Sequence, residues 1–475
     1  MPIEDFRAHG HAMIDFIADY WSSLDDPHRA PPVLSRVTPG QVAGSIALTP
    51  PEHGEDFARV MDDVRAHIMP GLTHWQSPGF FGFFPANTSA PGVLGELLSA
   101  GLGVNGMLWL TSPACTELEQ RVMDWCAQML GLPEAFTFAG GGGGVIQGTA
   151  SEAALVALVA ARVRAGHPKQ PVIYCSSQAH SSITKAAMIA GVAKGPDDRT
   201  SVRLIDVDAK HNMRPAALAS AIREDLHHER EPIFVAATLG TTSCMGFDDL
   251  SAIAKVLDTV PGPRPWLHVD GAFAGSACVC PEHRGMLAGI DRADSFCFNP
   301  HKWLLTNFDC DCLFVREPGA LTRALSITPE YLRNSASTSG GVVDYRDWQV
   351  PLGRRFRALK LWFVIRAYGV EGLRAYIREH VRLGALFEQL ITHDDRFEVL
   401  MGRNREMPLV VFALRAGDDA SKALLSRVNA RGKVYLTHTV MPSGRFALRM
   451  AIGGTFTREQ HVRMAFDELT SQIAP

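Results

Sequence analysis

The chain has 475 residues, 46% hydrophobic and 20% charged, which is enough for two or three domains around at least one large core. A formal net charge of -4 gives no electrostatic ground for nucleic acid or an anionic membrane as partner, so a small-molecule ligand is expected. No apolar run approaches the roughly 20 residues of a membrane span, residues 1 to 7 lack a signal-peptide pattern, and nine scattered cysteines show no repeated metal-ligand spacing; a cytoplasmic protein with reduced thiols and no metal centre is expected.

In chain order, Phe6, Met13, Ile14, Ile17, Tyr20, Trp21 and Leu24 share one helical face over 3 to 24. A Pro/Gly-rich linker over 27 to 51 follows, then a second amphipathic helix carrying Phe57, Val60, Met61, Val64 and Ile68, stopped by Pro70-Gly71. This pair has little core of its own and has to dock elsewhere. Residues 72 to 110 are rich in aromatics, glycine and proline and read as an irregular wall. The next helix starts at Ser112-Pro113, stops at Gly131, and is expected to bury Leu118, Val122, Trp125 and Met129.

Five glycines, Gly140 to Gly144, precede Gly148 and an apolar helix opening on Thr149, Ala150, Ser151 and Glu152. Thr149 and Glu152 have the spacing of a capping box. The open N–H groups of that helix start, with the Thr149 and Ser151 hydroxyls, would make an anion site that suits a phosphate. The competing reading is a flexible hinge with an ordinary cap; a dinucleotide fold is disfavoured because the glycines do not follow G-x-G-x-x-G.

Between 171 and 316, apolar strands at 172 to 175, 202 to 207, 233 to 238, 267 to 270, 296 to 298 and 313 to 316 alternate with helical patterns, which predicts a mostly parallel α/β sheet. Ligands of such sheets sit at the carboxyl ends of the strands, where His180, Thr242, Asp270 and Lys302 fall. Lys302 is the candidate reactive amine. Asp270 is the candidate anionic partner for the ring nitrogen of pyridoxal 5'-phosphate (PLP), a cofactor that needs both a lysine and such an acid. Taken singly, each has a plainer explanation as a surface lysine or a loop acid; with the phosphate loop upstream they point to a PLP site.

Residues 326 to 349 read as a lid-like loop with one prominent aromatic, Tyr331. Helices up to Tyr368 and from Val370 to Leu390 follow, and strands at 397 to 400, 408 to 414, 433 to 439 and 445 to 452 with two helices make a small α+β domain. The expected division is an N-terminal helical arm over 1–84, a large α/β domain over 85–365 and a small domain over 366–475.

The segments Asn299-Pro-His-Lys-Trp303, His268-Val-Asp-Gly-Ala272, Gln178-Ala-His-Ser-Ser182 and Gly144 to Glu152 resemble the group II PLP-dependent amino-acid decarboxylases, most closely the aromatic-L-amino-acid decarboxylases, over essentially the whole chain. The resemblance implies PLP fold type I (aspartate aminotransferase-like) and a homodimer with active sites at the interface, the arm packing on the second subunit. It implies that Lys302 holds PLP, that His180 stacks on one face of the ring and contacts the substrate carboxylate, and that Ala272 lets the ring lie flat on the other. Thr149, Ala150, Ser151 and Asn299 would serve the phosphate, with Thr242 and His301 lining the site. Trp75, Phe83, Phe84 and Ala86 would line the substrate ring, Asn105 and Met107 would reach in from the partner subunit, and Gly353 would leave room for an indole.

Tyr331 matches the family's proton donor, delivered across the interface. The implied reaction is decarboxylation of an aromatic L-amino acid (tryptophan, phenylalanine, tyrosine or DOPA type) to the amine and CO2. The alternatives are an oxygen-using aldehyde synthase, whose members replace the loop tyrosine or the stacking histidine, a group II decarboxylase of a non-aromatic amino acid, and a non-catalytic PLP-binding scaffold. Residues 76 to 110 contain no Lys or Arg, which counts against an acidic substrate. Phe83, Ala86, Asn105 and Met107 stand where animal enzymes carry tyrosine, threonine, isoleucine and phenylalanine, so no catechol preference is implied.

Overall fold

The computed structural model describes residues 1–26, 28–338 and 340–473. The chain parts into two compact units, one of residues 86–385 and 401–409 and one of residues 1–85, 386–400 and 410–475.

The larger unit is built on seven strands: β1 (Gly143–Gln147), β2 (Pro171–Ser176), β3 (Val202–Ile205), β4 (Glu231–Thr238), β5 (Trp266–Asp270), β6 (Ser295–Phe298) and β7 (Asp311–Val315), in the order β1-β7-β6-β5-β4-β2-β3. Strands β2 to β6 pair in parallel, and β7 runs antiparallel to both β1 and β6. Covered on both faces, these strands are near-continuous apolar runs, as a buried parallel sheet demands. The helix Ala150–Arg164 lies on one face and buries Ala153, Ala154, Ala157, Ala160 and Ala161, small side chains that let it sit close to the sheet. The predicted mostly parallel α/β sheet is therefore found.

Strand β1 is absent from the predicted set because glycine depresses strand propensity. Close packing sets Gly140 and Gly142 to Gly144, a positive φ of 84 sets Gly141, and the run ends well before the helix start. A Cβ on Gly142 would lie 2.1 Å from the Ala135 carbonyl oxygen, and one on Gly144 would lie 2.3 Å from Met123 Cε.

Two helices differ from expectation. The wall segment contains the helix Ala90–Leu102, with Ser89 Oγ accepting the Gly92 N–H, proline in the first turn and Gly103 at φ 63 past its end. It buries Gly92, Gly95 and Ser99, and a Cβ on Gly95 would come within 2.7 Å of Lys360 Cα. Its leucines Leu94, Leu97, Leu98 and Leu102 are left exposed. The helix Pro113–Leu130 has the Ser112 and Gly131 caps and buries Val122 and Met129 as expected, but Leu118 and Trp125 are only half-buried, and the charged Glu119 is fully buried because Arg354 pairs with it. The helix Arg357–Thr392 is broken at Gly369 (φ 65), where the sequence places the stop.

In the other unit, β8 (Phe397–Met401), β9 (Leu409–Leu414), β10 (Thr437–Val440) and β11 (Phe446–Ala451) form a sheet in the order β10-β11-β9-β8, with helices Asp418–Arg431 and Glu459–Ser471. The N-terminal arm belongs here: Val33 N–H donates to Gly432 O at 2.7 Å, and Phe81 N–H donates to Tyr435 O at 2.9 Å. Helix Ile3–Ser23 has no buried residue, and Ile3 and Phe6 are exposed.

Candidate active site

Strands β5 and β6 stay locked past their ends, because Gly271 N–H donates to Cys297 O and Asn299 N–H donates to Ala272 O (2.9 and 3.0 Å). This clamp fixes Asp270, whose Oδ1 accepts the Ala272 N–H at 2.9 Å, and the short helix Pro300–Trp303 that carries Lys302. Asp270 is 6% exposed and lies level with Thr238 of β4 and Cys297 of β6. Burial pushes the Lys302 ammonium below the ordinary lysine range, against the pull of Asp270.

His180 follows β2. Its Nδ1 accepts the Ser182 N–H at 3.2 Å and lies 2.9 Å from Ser182 Oγ. Desolvation holds the ring below the usual imidazole range, Asp270 opposing and Lys302 adding to the effect. A neutral ring whose Nδ1 accepts a backbone N–H carries its proton on Nε2, the nitrogen facing away from the backbone.

His301 is 2% exposed and is pushed down to about 3, chiefly by burial and then by Lys302. Its Nδ1 accepts the Cys310 N–H at 2.9 Å, so Nε2 carries the proton and needs an acceptor. The Asn299 carboxamide stands 3.2 Å from Nε2 through Nδ2, while its Oδ1 is buried with no hydrogen-bond partner. A half-turn of that amide satisfies Nε2–H with the oxygen and puts the NH2 group in the orphaned position, where it offers donors to an anion.

At the start of the helix Ala150–Arg164 the capping box does not close. Glu152 Oε2 accepts the Gly148 N–H at 2.9 Å, one residue further back, and the Thr149 hydroxyl makes no cap bond. Ala150 and Ser151 carry first-turn N–H groups without an intrahelical acceptor, Ser151 is exposed and Thr149 is half-buried. A desolvated lysine, a fixed carboxylate, a neutral histidine, the Asn299 NH2 group and an open helix start together match what PLP requires.

Thr242 is half-buried beyond β4. Ala86 is held near this cluster by its neighbour Asn87, a residue the sequence reading missed, whose N–H donates to His301 O at 2.6 Å and whose Oδ1 accepts the Leu305 N–H at 3.1 Å. Asn105 and Gly353 are brought together: Asn105 Oδ1 accepts the Arg354 N–H at 3.0 Å, and a Cβ on Gly353 would meet Asn105 Nδ2 at 3.7 Å. Met107 O accepts the Arg346 N–H at 3.1 Å in the same wall. Tyr331 sits on the turn Glu330–Leu332, 75% exposed and not packed against the buried cluster.

In the other unit, Trp75 stacks on Phe83 (5.7 Å) and lies tilted against Phe80 (4.4 Å), and Phe83 takes a positive φ of 54. Arg449 of β11, 3% exposed, lies over the Phe84 ring at 5.5 Å. Sequence inspection of 76 to 110 finds no cation in the wall; the structure supplies one beside Phe84 from a distant strand.

Residues 39–415 match the model of the pyridoxal-dependent decarboxylase conserved domain. The chain is 47% identical to a phenylacetaldehyde synthase of Arabidopsis thaliana, over 98% of this chain and 95% of the relative, and 45% identical to tyrosine decarboxylase 2 of Narcissus pseudonarcissus, over 99% and 94%. The solved structure of Oryza sativa TDC with PLP and tryptamine superimposes with a TM-score of 0.94 at 42% identity, covering 100% of this chain and 98% of that one. With its sheet, its lysine and acid at adjoining strand ends and this likeness along the whole chain, the protein belongs to the pyridoxal-dependent decarboxylase family and is a PLP-dependent carboxy-lyase.

Proposed function

We propose that the chain decarboxylates an aromatic L-amino acid, of the tryptophan, phenylalanine, tyrosine or DOPA type, to its amine and CO2. The observation that carries this reading is the convergence of Lys302, Asp270 and His180 at the carboxyl ends of the large sheet. When bound, PLP supplies the electron sink that a free amino acid lacks. The desolvated Lys302 keeps its amine available as a nucleophile. Asp270, anchored by the Ala272 N–H, holds a negative charge at one fixed point for the ring nitrogen. Asn299, Thr149, Ala150 and Ser151 bind the phosphate, and Ala272, Thr242 and His301 line the ring.

His180 presents Nε2–H to the substrate carboxylate. Tyr331 delivers a proton to the α-carbon after CO2 departs, and closure of its loop excludes water. The aromatic cluster of Trp75, Phe83 and Phe84 suits a flat apolar ring, and the Asn105–Gly353 wall, with Met107 and Ala86, leaves room for an indole.

The assembly we propose is a homodimer with each site completed by the other copy. The exposed Leu94, Leu97, Leu98 and Leu102, the unburied helix Ile3–Ser23 of the arm and the exposed Tyr331 support it. Nine cysteines, all free and buried, support a reducing, cytoplasmic setting.

A second reading, oxidation to an aldehyde, is favoured by the 47% identity to a phenylacetaldehyde synthase. The presence of both Tyr331 and His180 supports the amine. The deciding experiment supplies PLP and a panel of L-amino acids and quantifies amine and CO2. Amine from tryptophan, tyrosine or phenylalanine and none from glutamate is expected; faster turnover of glutamate than of every aromatic substrate refutes the proposal. Lys302→Ala is expected to lose the visible absorbance of the cofactor-loaded protein, and a retained full spectrum removes Lys302 from its role.

A further inference from the structure

Asp311 opens β7 with no exposed surface, and neither of its carboxyl oxygens has a hydrogen-bond partner. Its place is set by two ladders. It is the direct partner of Gln147 on β1, and β7 pairs with β6 in a register that puts Leu313 opposite Cys297, itself level with Asp270. Side chains alternate along a strand, so Asp311 shares a face with Leu313 and Val315, the face covered by the helix Ala150–Arg164. It therefore lies two positions nearer the site than the Leu313–Cys297–Asp270 row, past the Phe298–Cys312 pair.

Gln147 is equally buried. Its Nε2 donates to Trp348 O at 2.7 Å, which leaves Oε1 as an acceptor, and that atom also has no partner. Directly opposed residues of an antiparallel pair hold their Cβ atoms about 4.5–5.5 Å apart. Two facing side chains thus leave three acceptor oxygens without a donor. Were Asp311 ionised, a second anion would stand near Asp270 without one hydrogen bond, the most heavily penalised form of burial. As a carboxylic acid it carries no charge and supplies a donor for Gln147 Oε1.

We propose that Asp311 is a neutral carboxylic acid that donates its proton to Gln147 Oε1, a positioning residue that leaves Asp270 the single anion acting on Lys302. The charged and titratable groups facing it agree with this. Burial, then Asp270, Cys310 and Glu152, push its carboxyl well above the usual range, and only Lys302 opposes; the Cys297 thiol beside it is likewise pushed up by burial and stays uncharged. The protonation state belongs to the polypeptide alone, whereas the consequence at Lys302 rests on the cofactor reading above.

Infrared spectroscopy of the apoprotein at neutral pH tests the first part. A carbonyl band of a protonated carboxyl, sensitive to deuterium, is expected in the wild type and missing in Asp311→Asn, and Gln147→Met should move that band to higher wavenumber. A spectrum unchanged by Asp311→Asn overturns the neutral acid, and a band unmoved by Gln147→Met overturns the partner; the second variant serves if the first fails to fold. The pH titration of visible absorbance in the loaded protein tests the second part. Asp311→Asn exchanges one neutral group for another, so its midpoint should match the wild type. A midpoint lower by a full unit, a tenfold change in the equilibrium, would mean that a negative charge had been removed beside Lys302 and would overturn the proposal. A band that behaves as expected in a protein that takes up no PLP would support the acid and count against the cofactor reading instead.

Discussion

Replacing Arg354 by methionine should show how the wall beside the site is held. The Arg354 and Glu119 side chains are both 0% exposed and form an ion pair. Arg354 also donates to Ile146 O at 2.9 Å, while Glu119 Oε1 accepts the Ile146 N–H at 2.7 Å. Ile146 lies just before the helix start that would hold the phosphate, and the Arg354 backbone N–H holds Asn105 next to Gly353. Removing the guanidinium leaves a buried carboxyl without its counter-charge, a change that costs about 3–5 kcal/mol. With no exposure there is no solvent screening to discount, and ~4 kcal/mol corresponds to roughly a thousandfold in the folding equilibrium.

The loss should depend on pH. Burial already holds Glu119 above the usual carboxylate range despite the pull of Arg354, and losing that pull moves it further up. A carboxyl whose folded pKa exceeds its unfolded value of about 4.3 takes up a proton on folding, so its contribution is greatest at low pH and is lost as pH rises towards the folded pKa. The deficit of Arg354→Met should therefore be wider at about pH 8 than at about pH 5, read from denaturant unfolding. Glu119→Leu combined with Arg354→Met should recover most of the stability. A double variant as unstable as the single one, or a deficit equal at both pH values, would refute the reasoning.

Asp270→Ala is expected to bind PLP more weakly and to lose most turnover, read from cofactor titration and amine formation; wild-type turnover would mean another acid serves the ring nitrogen. Tyr331→Phe keeps the loop's apolar contacts and removes the proton donor, so CO2 release and PLP binding should persist while aldehyde, ammonia and peroxide rise at the expense of amine in the presence of oxygen. Loss of PLP or of dimerisation in that variant would point to packing instead. Gly353→Ala meets only ordinary contact, 3.7 Å to Asn105 Nδ2, so it should fold normally and raise KM for tryptophan more than for tyrosine; equal effects on both would remove Gly353 from the indole's surroundings.

The alternation of strands and helices from 171 to 316 was legible because a sheet buried on both faces needs apolar runs, and Lys302, Asp270 and His180 stood out by following such runs. The helix Ala90–Leu102 was hidden by its composition. Its Ser89 cap, first-turn proline and Gly103 stop were all present, but Gly92 and Gly95, which look like breakers, are the side it packs with. The five glycines suggested a phosphate loop; at Gly140, Gly142, Gly143 and Gly144 carbonyl and side-chain atoms leave no room for a Cβ, and Gly141 takes a positive φ of 84. Glu119 and Asp311 are charged residue types that sequence places on surfaces; only the fold reveals that one faces Arg354 and the other faces Gln147. Arg449, about 365 residues away from Phe84 in sequence, could not be linked to the wall before strand β11 brought it there.

The proposed activity is tested most directly by the product balance of the wild-type protein with PLP and an aromatic L-amino acid in oxygenated buffer, with amine, CO2, aldehyde and peroxide measured together. One amine per CO2, with no peroxide above the enzyme-free control, is expected of a decarboxylase that retains both Tyr331 and His180. Aldehyde and peroxide formed in step with CO2, with little amine, would contradict it and assign the chain to oxidative chemistry.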